Sequence, residues 1–302
     1  MRDLSRVLRA TATNMFAGLA PSWYVRLSGQ TGRGDPSQES ARDIAEYFLE
    51  CFDDYLQRLG LTRSDADERF QGRTVVEYGP GDLPGVAALF VAYGARHVYC
   101  IDRFAMVHLD GKNLDVLRAL RQLLPEPQAG RIASLIKTDR SGRSVIDADR
   151  ISYVVRPHGF SGLASAADLV VSRAVLEHVD DLEGSFKDMR RALKPGCTAL
   201  HLVDLRSHGL HRHNPLDFLE WSPSLWSLMF SNKGVPNRWR IDRYRDIVAS
   251  LDVEDVEFTV TKQASADDVA VVRPRLDARF KDTSDVDLGV LGFWLSFRKP
   301  AV

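Results

Sequence analysis

The sequence predicts an α/β fold, a mostly parallel sheet covered by helices on both faces. Three observations carry this. Short β-branched runs alternate with amphipathic helical stretches from Thr74 to Phe297. Leu169–Ser172 is apolar almost throughout, as a strand buried on both faces requires. A glycine-bearing turn joins the first strand to a helix, which is how α/β units place a ligand-binding loop.

The elements follow in order. Residues 29–40 are rich in Gly, Ser, Gln and Asp and read as a loop. Ala41–Leu59 is a helix, because Ile44, Phe48, Phe52, Tyr55, Leu56 and Leu59 recur at three- and four-residue spacing. Thr74–Tyr78 is a strand, Val86–Tyr93 a helix and His97–Ile101 a second strand. Leu114–Leu124 is helical by its leucine spacing and stops at Pro125. Residues 126–150 are mixed and polar and read as an insertion. Ile151–Val155 and Leu169–Ser172 are strands. Leu182, Phe186, Met189 and Leu193 mark a helix that Pro195 and Gly196 end. Ala199–Val203 is a strand. Residues 207–240 break the rhythm with His208, His211, His213, Trp221, Trp226 and Trp239, and read as an inserted cap. Ile241–Leu251 returns to helix, and Val256–Thr261 and Val290–Phe297 to strand. Lys262–Leu288 reads as a long polar link, functional or mobile.

Composition narrows the function classes. Forty Lys and Arg against 41 Asp and Glu give a net charge of −1, without the positive excess that coating nucleic acid or an anionic membrane requires. An apolar share of 44% excludes a mainly disordered chain. Cys51, Cys100 and Cys197 are far apart and form no CxxC pair, so reduced cysteines in the cytoplasm are expected. No apolar run is long enough for a transmembrane helix. Arg2, Arg6 and Arg9 precede a mildly apolar stretch that mimics a signal peptide, but Thr11, Thr13, Asn14 and Pro21 interrupt it.

The strongest motif runs Val75-Val76-Glu77-Tyr78-Gly79-Pro80-Gly81-Asp82, followed by a helix and a second strand closing on Asp102. Gly79 and Gly81 permit a sharp turn with no side chain in a ligand's way. An acid at the second strand's end can accept hydrogen bonds from a ribose diol. Pro84 stands where a dinucleotide fingerprint places its third glycine, which argues against NAD or FAD. Together with Asp168-Leu-Val-Val-Ser172-Arg173-Ala-Val-Leu-Glu177-His178-Val and Leu193-Lys-Pro-Gly196, the chain resembles the class I S-adenosylmethionine-dependent methyltransferases over residues 72–205, and over 241–299 more loosely.

The resemblance implies a Rossmann-like, seven-stranded sheet in a domain over 72–299, with a helical arm or lid over 1–71 and a cap inserted at 207–240. It implies S-adenosyl-L-methionine as cofactor, S-adenosyl-L-homocysteine as product, and roles for individual residues. Gly79 and Gly81 would pass under the methionine part, and Glu77 would orient its amino group. Asp102 would bind the ribose. Arg103 and Phe104 would flank the adenine, near the loop holding Pro157, His158, Gly159 and Phe160. Ser172, Arg173 and Ala174 would line the reactive end. The family's usual third glycine falls at Leu83; here it comes later, at Gly85, and the loop reads as a variant.

The remaining candidates carry competing readings. His208, following the fifth strand, can act as a base with Asp204 orienting it, or can be a loop histidine. Glu177 and His178 read more as pocket floor than as catalytic groups, with His178 the second candidate base. His97 reads as a surface residue and His201 as a satisfied core histidine. His208, His211, His213 and Asp217 do not have a zinc spacing, so no metal is expected. Trp221, Trp226, Phe230 and Trp239 read as the cap's apolar underside or as a stacking surface. Arg238, Arg240 and Arg243 read as a solvated face or as receivers of an acidic substrate.

The expected function is methylation of a small organic molecule, most simply at a hydroxyl of a natural-product or sugar-like acceptor. N- or C-methylation and a non-catalytic cofactor-binding module are the alternatives. The absence of an Asn/Asp-Pro-Pro-Tyr motif and the charge balance argue against nucleic acid as partner. No stable membrane insertion is expected, and a homodimer stays open.

Overall fold

The computed structural model describes residues 2–20, 23–24, 27, 39–109 and 111–301. Most of the loop read over 29–40 lies outside them. The helices are α1 (Arg2–Leu19), α2 (Ala41–Arg58), α3 (Arg63–Phe70), α4 (Gly85–Ala92), α5 (Gly111–Leu123), α6 (Gln128–Ser134), α7 (Leu182–Ala192), α8 (Pro223–Phe230), α9 (Ile241–Ala249), α10 (Ala266–Val272) and α11 (Asp285–Gly289). The strands are β1 (Thr74–Tyr78), β2 (His97–Asp102), β3 (Ile136–Thr138), β4 (Ser144–Ile146), β5 (Ile151–Val155), β6 (Ala167–Arg173), β7 (Leu193–Asp204), β8 (Glu254–Gln263) and β9 (Val290–Arg298).

Seven strands form one sheet in the order β5-β2-β1-β6-β7-β9-β8, and β3 and β4 form a separate antiparallel hairpin. β1 pairs in parallel with β2 and β6, and β2 with β5. This is the predicted Rossmann-like sheet. Every residue of β1 is buried, the mark of a parallel strand covered on both faces. The chain steps from β1 to β2 and β5 on one side and resumes at β6 on the other. The carboxyl ends of β1 and β6 therefore flank a topological switch point, where open α/β sheets bind ligands.

The chain divides into two compact units, each built from separated segments. One comprises residues 30–172, 187–200 and 298–302. Its helix α2 starts at a capping box between Ser40 and Asp43 and buries the predicted face. Phe52 stacks on Tyr93 at 4.9 Å and meets the Phe90 edge at 5.2 Å. α4 is buried on all sides, which is why it shows no amphipathic period. The stretch 126–150 folds as α6 and the β3–β4 hairpin.

One boundary needs correction here. α7 stops at Ala192, and Pro195 and Gly196 lie inside β7. Gly196, with φ +73°, donates its N–H to Lys299 O at 2.8 Å, and Lys299 N–H returns to Cys197 O at 3.0 Å. Strand pairing with the chain's end thus overrides the Pro-Gly stop signal.

The other unit comprises residues 1–29, 173–186 and 201–297. Its core gathers Leu216, Phe218, Trp226, Phe230, Val272 and Phe280 among others. Here the polar link read over 262–288 is corrected to structure: α10, two 3-10 turns and α11 bury Val269, Val272, Leu276, Phe280 and Leu288. The apolar positions were too few and too irregularly spaced to reveal this in sequence. α1 packs on α8, with Asn14 Nδ2 donating to Leu228 O at 3.0 Å and Lys233 Nζ to Ala10 O at 2.7 Å. His201 is fully buried between Phe186 and Phe297, and burial pushes it down to about 3, so it is neutral.

Candidate active site

Within the first unit, the turn after β1 bends as the glycines allow. Gly79 and Gly81 have φ of +68° and +75°, a region that side chains disfavour. Gly79 N–H is held by Ile101 O at 2.8 Å. Glu77 is buried below this turn, and burial pushes its carboxyl up to about 7, against the Ala87 backbone N–H and the Cys100 thiol, which favour the anion. Gly85 answers the question of the displaced third glycine. A Cβ there would lie 2.4 Å from the Phe48 ring, so this glycine serves the packing of α4 on α2.

Asp102 ends β2. Its Oδ1 accepts from the backbone N–H groups of Arg103 (2.7 Å) and Phe104 (3.1 Å), and burial nevertheless pushes its carboxyl up to about 6. The Arg103 stem lies against Gly159, where a Cβ would meet Arg103 Cγ at 3.0 Å. The structure therefore brings Asp102, Arg103 and the 156–160 loop together. His158 is exposed in that loop, with its ring 6.0 Å from Phe160. Ser172 is fully buried at the end of β6, in register with Tyr78.

Two further residues, marked by no motif or spacing, fix this region. Tyr153 on β5 donates to Phe104 O at 2.6 Å and accepts from Met106 N–H at 3.0 Å, pinning the chain after Asp102. Asp188 accepts from Tyr78 Oη at 2.7 Å and from Ser161 and Gly162 N–H, anchoring the loop after β5. Burial alone would raise the Asp188 carboxyl, but these bonds and Arg191 hold it below the usual carboxylate range.

Glu77, Gly79, Gly81, Asp102, Arg103, His158 and Ser172 thus fall in one unit. The left-handed glycine turn and the acid at the end of β2 fit the amino-acid and ribose parts of S-adenosylmethionine.

Within the second unit, Arg173 ends β6 with its guanidinium 5.9 Å from the Trp294 ring centre. Ala174 follows in the left-handed region, φ +52°, and its N–H bonds Leu202 O at 2.9 Å. A 3-10 turn, Leu176–His178, then carries Glu177 inward to 1% exposure. Its Oε1 lies 3.9 Å from both His178 Nε2 and His208 Nε2. The imidazole rings meet edge to face at 4.8 Å. Burial pushes the Glu177 carboxyl up, as does nearby Asp204, and burial with the neighbouring His208 pushes His178 down to about 4. Both shifts favour the uncharged form of the group concerned.

This corrects the expected pairing of His208. The Asp204 carboxylate is taken by the Arg206 guanidinium and backbone N–H. His208 Nε2 instead lies 3.4 Å from the Asp204 backbone oxygen, and its carboxyl partner is Glu177. His208 holds φ +48°, a conformation that costs energy and recurs at functional sites. The set His208, His211, His213 and Asp217 is not assembled: His211 bonds Ser207, and the Asp217 carboxylate accepts the backbone N–H groups of Arg212, His213 and Asn214. His97 is also more than a surface residue, since it brackets Asp149 O and Ser152 Oγ.

The family model described as a methyltransferase domain matches residues 43–257. The chain belongs to this family. It is a methyltransferase, with the Rossmann-like sheet of class I. No curated protein matches the chain. Solved structures similar to this methyltransferase include phosphoethanolamine N-methyltransferase 2 of Haemonchus contortus, at 16% identity and a TM-score of 0.42, covering 79% of this chain and 52% of that one. The chain thus spans about half the length of the Haemonchus protein. An S-adenosylmethionine-dependent methyltransferase of Mesorhizobium loti matches at 17% identity and a TM-score of 0.41, over 79% of this chain and all of that one. A Methanococcus maripaludis protein described as a putative methyltransferase matches at 16% identity and 0.42, over 86% and 92%.

Proposed function

We propose that this methyltransferase methylates a hydroxyl oxygen of a small organic acceptor, with His208 as the proton acceptor. The observation that carries this reading is the Glu177–His178–His208 cluster: two imidazoles, each 3.9 Å from one buried carboxyl, give the acceptor's proton a destination. An amine acceptor, which attacks through its own lone pair, has less need of such a group. His178 is the second candidate base, though burial makes it the weaker one.

Glu77, Gly79, Gly81, Asp102, Arg103, His158, Ser172 and Arg173 are proposed to hold the cofactor, with Asp102 on the ribose and Glu77 on the amino group. Bound S-adenosylmethionine supplies a methyl group made electrophilic by the adjacent sulfonium. The protein's own contribution is alignment, exclusion of water and removal of the acceptor's proton. If His208 Nε2–H is donated to Asp204 O, its Nδ1 carries the lone pair that takes that proton. α1 and the 207–240 segment are proposed as the acceptor lid. No described helix is long and apolar enough to cross a membrane. A cytoplasmic site of action and no nucleic-acid partner belong to the same reading.

Incubation with ¹³C-methyl cofactor and fractionated metabolites tests it. The expected product shows its label at an oxygen-bound methyl by NMR. A label on nitrogen or carbon overturns the O-methylation reading.

A further inference from the structure

Two arginines of the second unit, one buried and one half-buried, have no acid beside the guanidinium. Arg238 is 2% exposed. Its Nη1 donates to Phe218 O (3.3 Å) and Trp221 O (2.6 Å), and its guanidinium lies 4.5 Å from the Trp226 ring centre. Arg279 donates Nη2 to Asn237 O at 3.3 Å and lies 4.5 Å from Trp239. Both face the Phe280 ring, at 5.8 and 4.6 Å. Among the described residues no carboxylate oxygen lies within 4.0 Å of either guanidinium. The nearby Asp277 carboxylate is turned to the Arg279 backbone N–H at 3.1 Å. The Nε atoms of both arginines are buried without an acceptor.

Other arginines of the same unit are matched. Arg212 and Arg275 pair with Glu220, Arg245 with Asp287, and Arg273 with Asp285. Arg243 approaches Glu183 at 3.6 Å. Arg240 is a structural clamp on the carbonyls of Leu205, Leu288 and Val290. The sequence reading of Arg238, Arg240 and Arg243 as a solvated face is thus corrected for the first two, which are buried. Cation–π contacts offset part of the cost of withdrawing two like charges from water, but an anion beside them offsets more. Burial and Arg279 together push Arg238 down to about 9, a sign of the missing counter-charge.

The same segment holds the proton-accepting cluster. Asn237 donates its N–H to Glu177 O (2.6 Å) and its amide to Leu176 O (2.9 Å) and Val179 O (3.0 Å). Arg238 follows at φ +69°, held against its preference. The guanidinium pair is therefore fixed, through Asn237, to the turn that carries Glu177 and His178.

We propose that Arg238 and Arg279 form a subsite for an anionic group of the acceptor, a carboxylate or a phosphate monoester beside a flat apolar ring. This rests on the reading of the His208 cluster as the acceptor site. The substrate class becomes hydroxylated organic acids or their phosphate esters.

Calorimetry on the full chain saturated with S-adenosylhomocysteine tests this, with benzoate, phenyl phosphate and neutral benzamide as probes. Binding of benzoate, phenyl phosphate or both, without benzamide, is expected, and the binding arm tells carboxylate from phosphate. R279Q should weaken it at least 10-fold, with the thermal melt confirming the fold. R279K, which keeps charge but loses the fork, should weaken it at least 3-fold and serves if R279Q does not fold. H208A should bind the same anion unchanged, so a failed hydroxyl reading and a failed subsite give different results. Silence from both anions, equal binding of benzamide, or unchanged affinity in R279Q would overturn the subsite.

Discussion

In the unit that carries β1, β2 and β5, buried or half-buried acids have close partners. Asp168 takes Lys194 at 2.8 Å and the Thr74 N–H at 2.8 Å, and Asp188 takes a tyrosine, two backbone N–H groups and an arginine. In the unit that carries Glu177, a buried carboxyl lies 3.9 Å from two imidazoles, and among the described residues the buried Arg238 and the half-buried Arg279 have no carboxylate within 4.0 Å of their guanidiniums. The first arrangement stabilises a backbone shape. The second leaves polar groups whose partners must come from outside or whose charge must change. Unsatisfied buried groups are costly, so they persist where a ligand or a proton completes them. Shape-making belongs to the first unit, and chemistry is proposed for the second.

The sharpest way to break that contrast is His208→Ala. If the cluster accepts the proton, kcat on the identified acceptor falls on the order of 10² to 10⁴, while S-adenosylmethionine affinity stays as in the wild type. Equal losses in both would make the cluster structural. Glu177→Gln should fall in the same direction by a smaller factor. A chelator in the assay should leave the wild-type rate unchanged. Loss on chelation would reassign the three donors to a cation.

Glu77, also in the first unit, is a buried acid whose partners among the described residues are a backbone N–H and a thiol. Its carboxyl is raised from 4.5 to about 7. Below pH 4.5 the folded and unfolded chains both keep it protonated. As pH rises through 7 the folded state loses that advantage, at a limiting cost of about 3 kcal/mol. Glu77→Gln should therefore stabilise the cofactor-free protein at pH 8 and change little at pH 4.5, by chemical denaturation at the two pH values. The same variant should bind the cofactor more weakly at pH 8. Equal stability effects at both pH values would show that folding leaves the Glu77 carboxyl unshifted.

Asp102 is raised to about 6 in the same way, but two backbone N–H groups already hold its Oδ1. Asp102→Asn should weaken cofactor binding about 10- to 100-fold, the worth of one or two charge-assisted hydrogen bonds. The wild-type affinity should climb as pH rises through 6 and the variant's should not. A flat wild-type profile would remove the carboxylate from the ribose site.

The contrast also explains what could be read in the sequence. β1, the glycine turn and Asp102 are neighbours along the chain, and their backbone geometry demands particular residue types, so Gly79, Gly81 and Asp102 announced themselves. Glu177 and His178 meet His208 across some thirty positions of intervening chain, and no spacing rule encodes that. Asp204 looked like the partner because it was near in sequence, but Arg206 takes its carboxylate. Arg279 had no signal, since its role depends on a ring and a carbonyl supplied by Phe280 and Asn237. α10 and α11 were hidden because their polar faces outnumber the few apolar residues that anchor them.

Gly85 carries the smallest expected effect and separates packing from ligand binding in the glycine turn. Unlike Gly79 and Gly81 it is an ordinary first-turn helical residue, so alanine suits its backbone. What forbids a side chain is the Phe48 ring, 2.4 Å from the position of a Cβ. Gly85→Ala should therefore cost roughly 1–3 kcal/mol by overpacking. Phe48→Leu alone loses ring contacts, yet combined with Gly85→Ala it should cost less than the two singles added, because the shorter side chain makes room. Cofactor affinity, measured on the folded single variant, should stay within a few-fold of wild type. A large loss of affinity with little loss of stability would instead place Gly85 beside the ligand, as the family's third glycine, and the turn would then bind through three glycines.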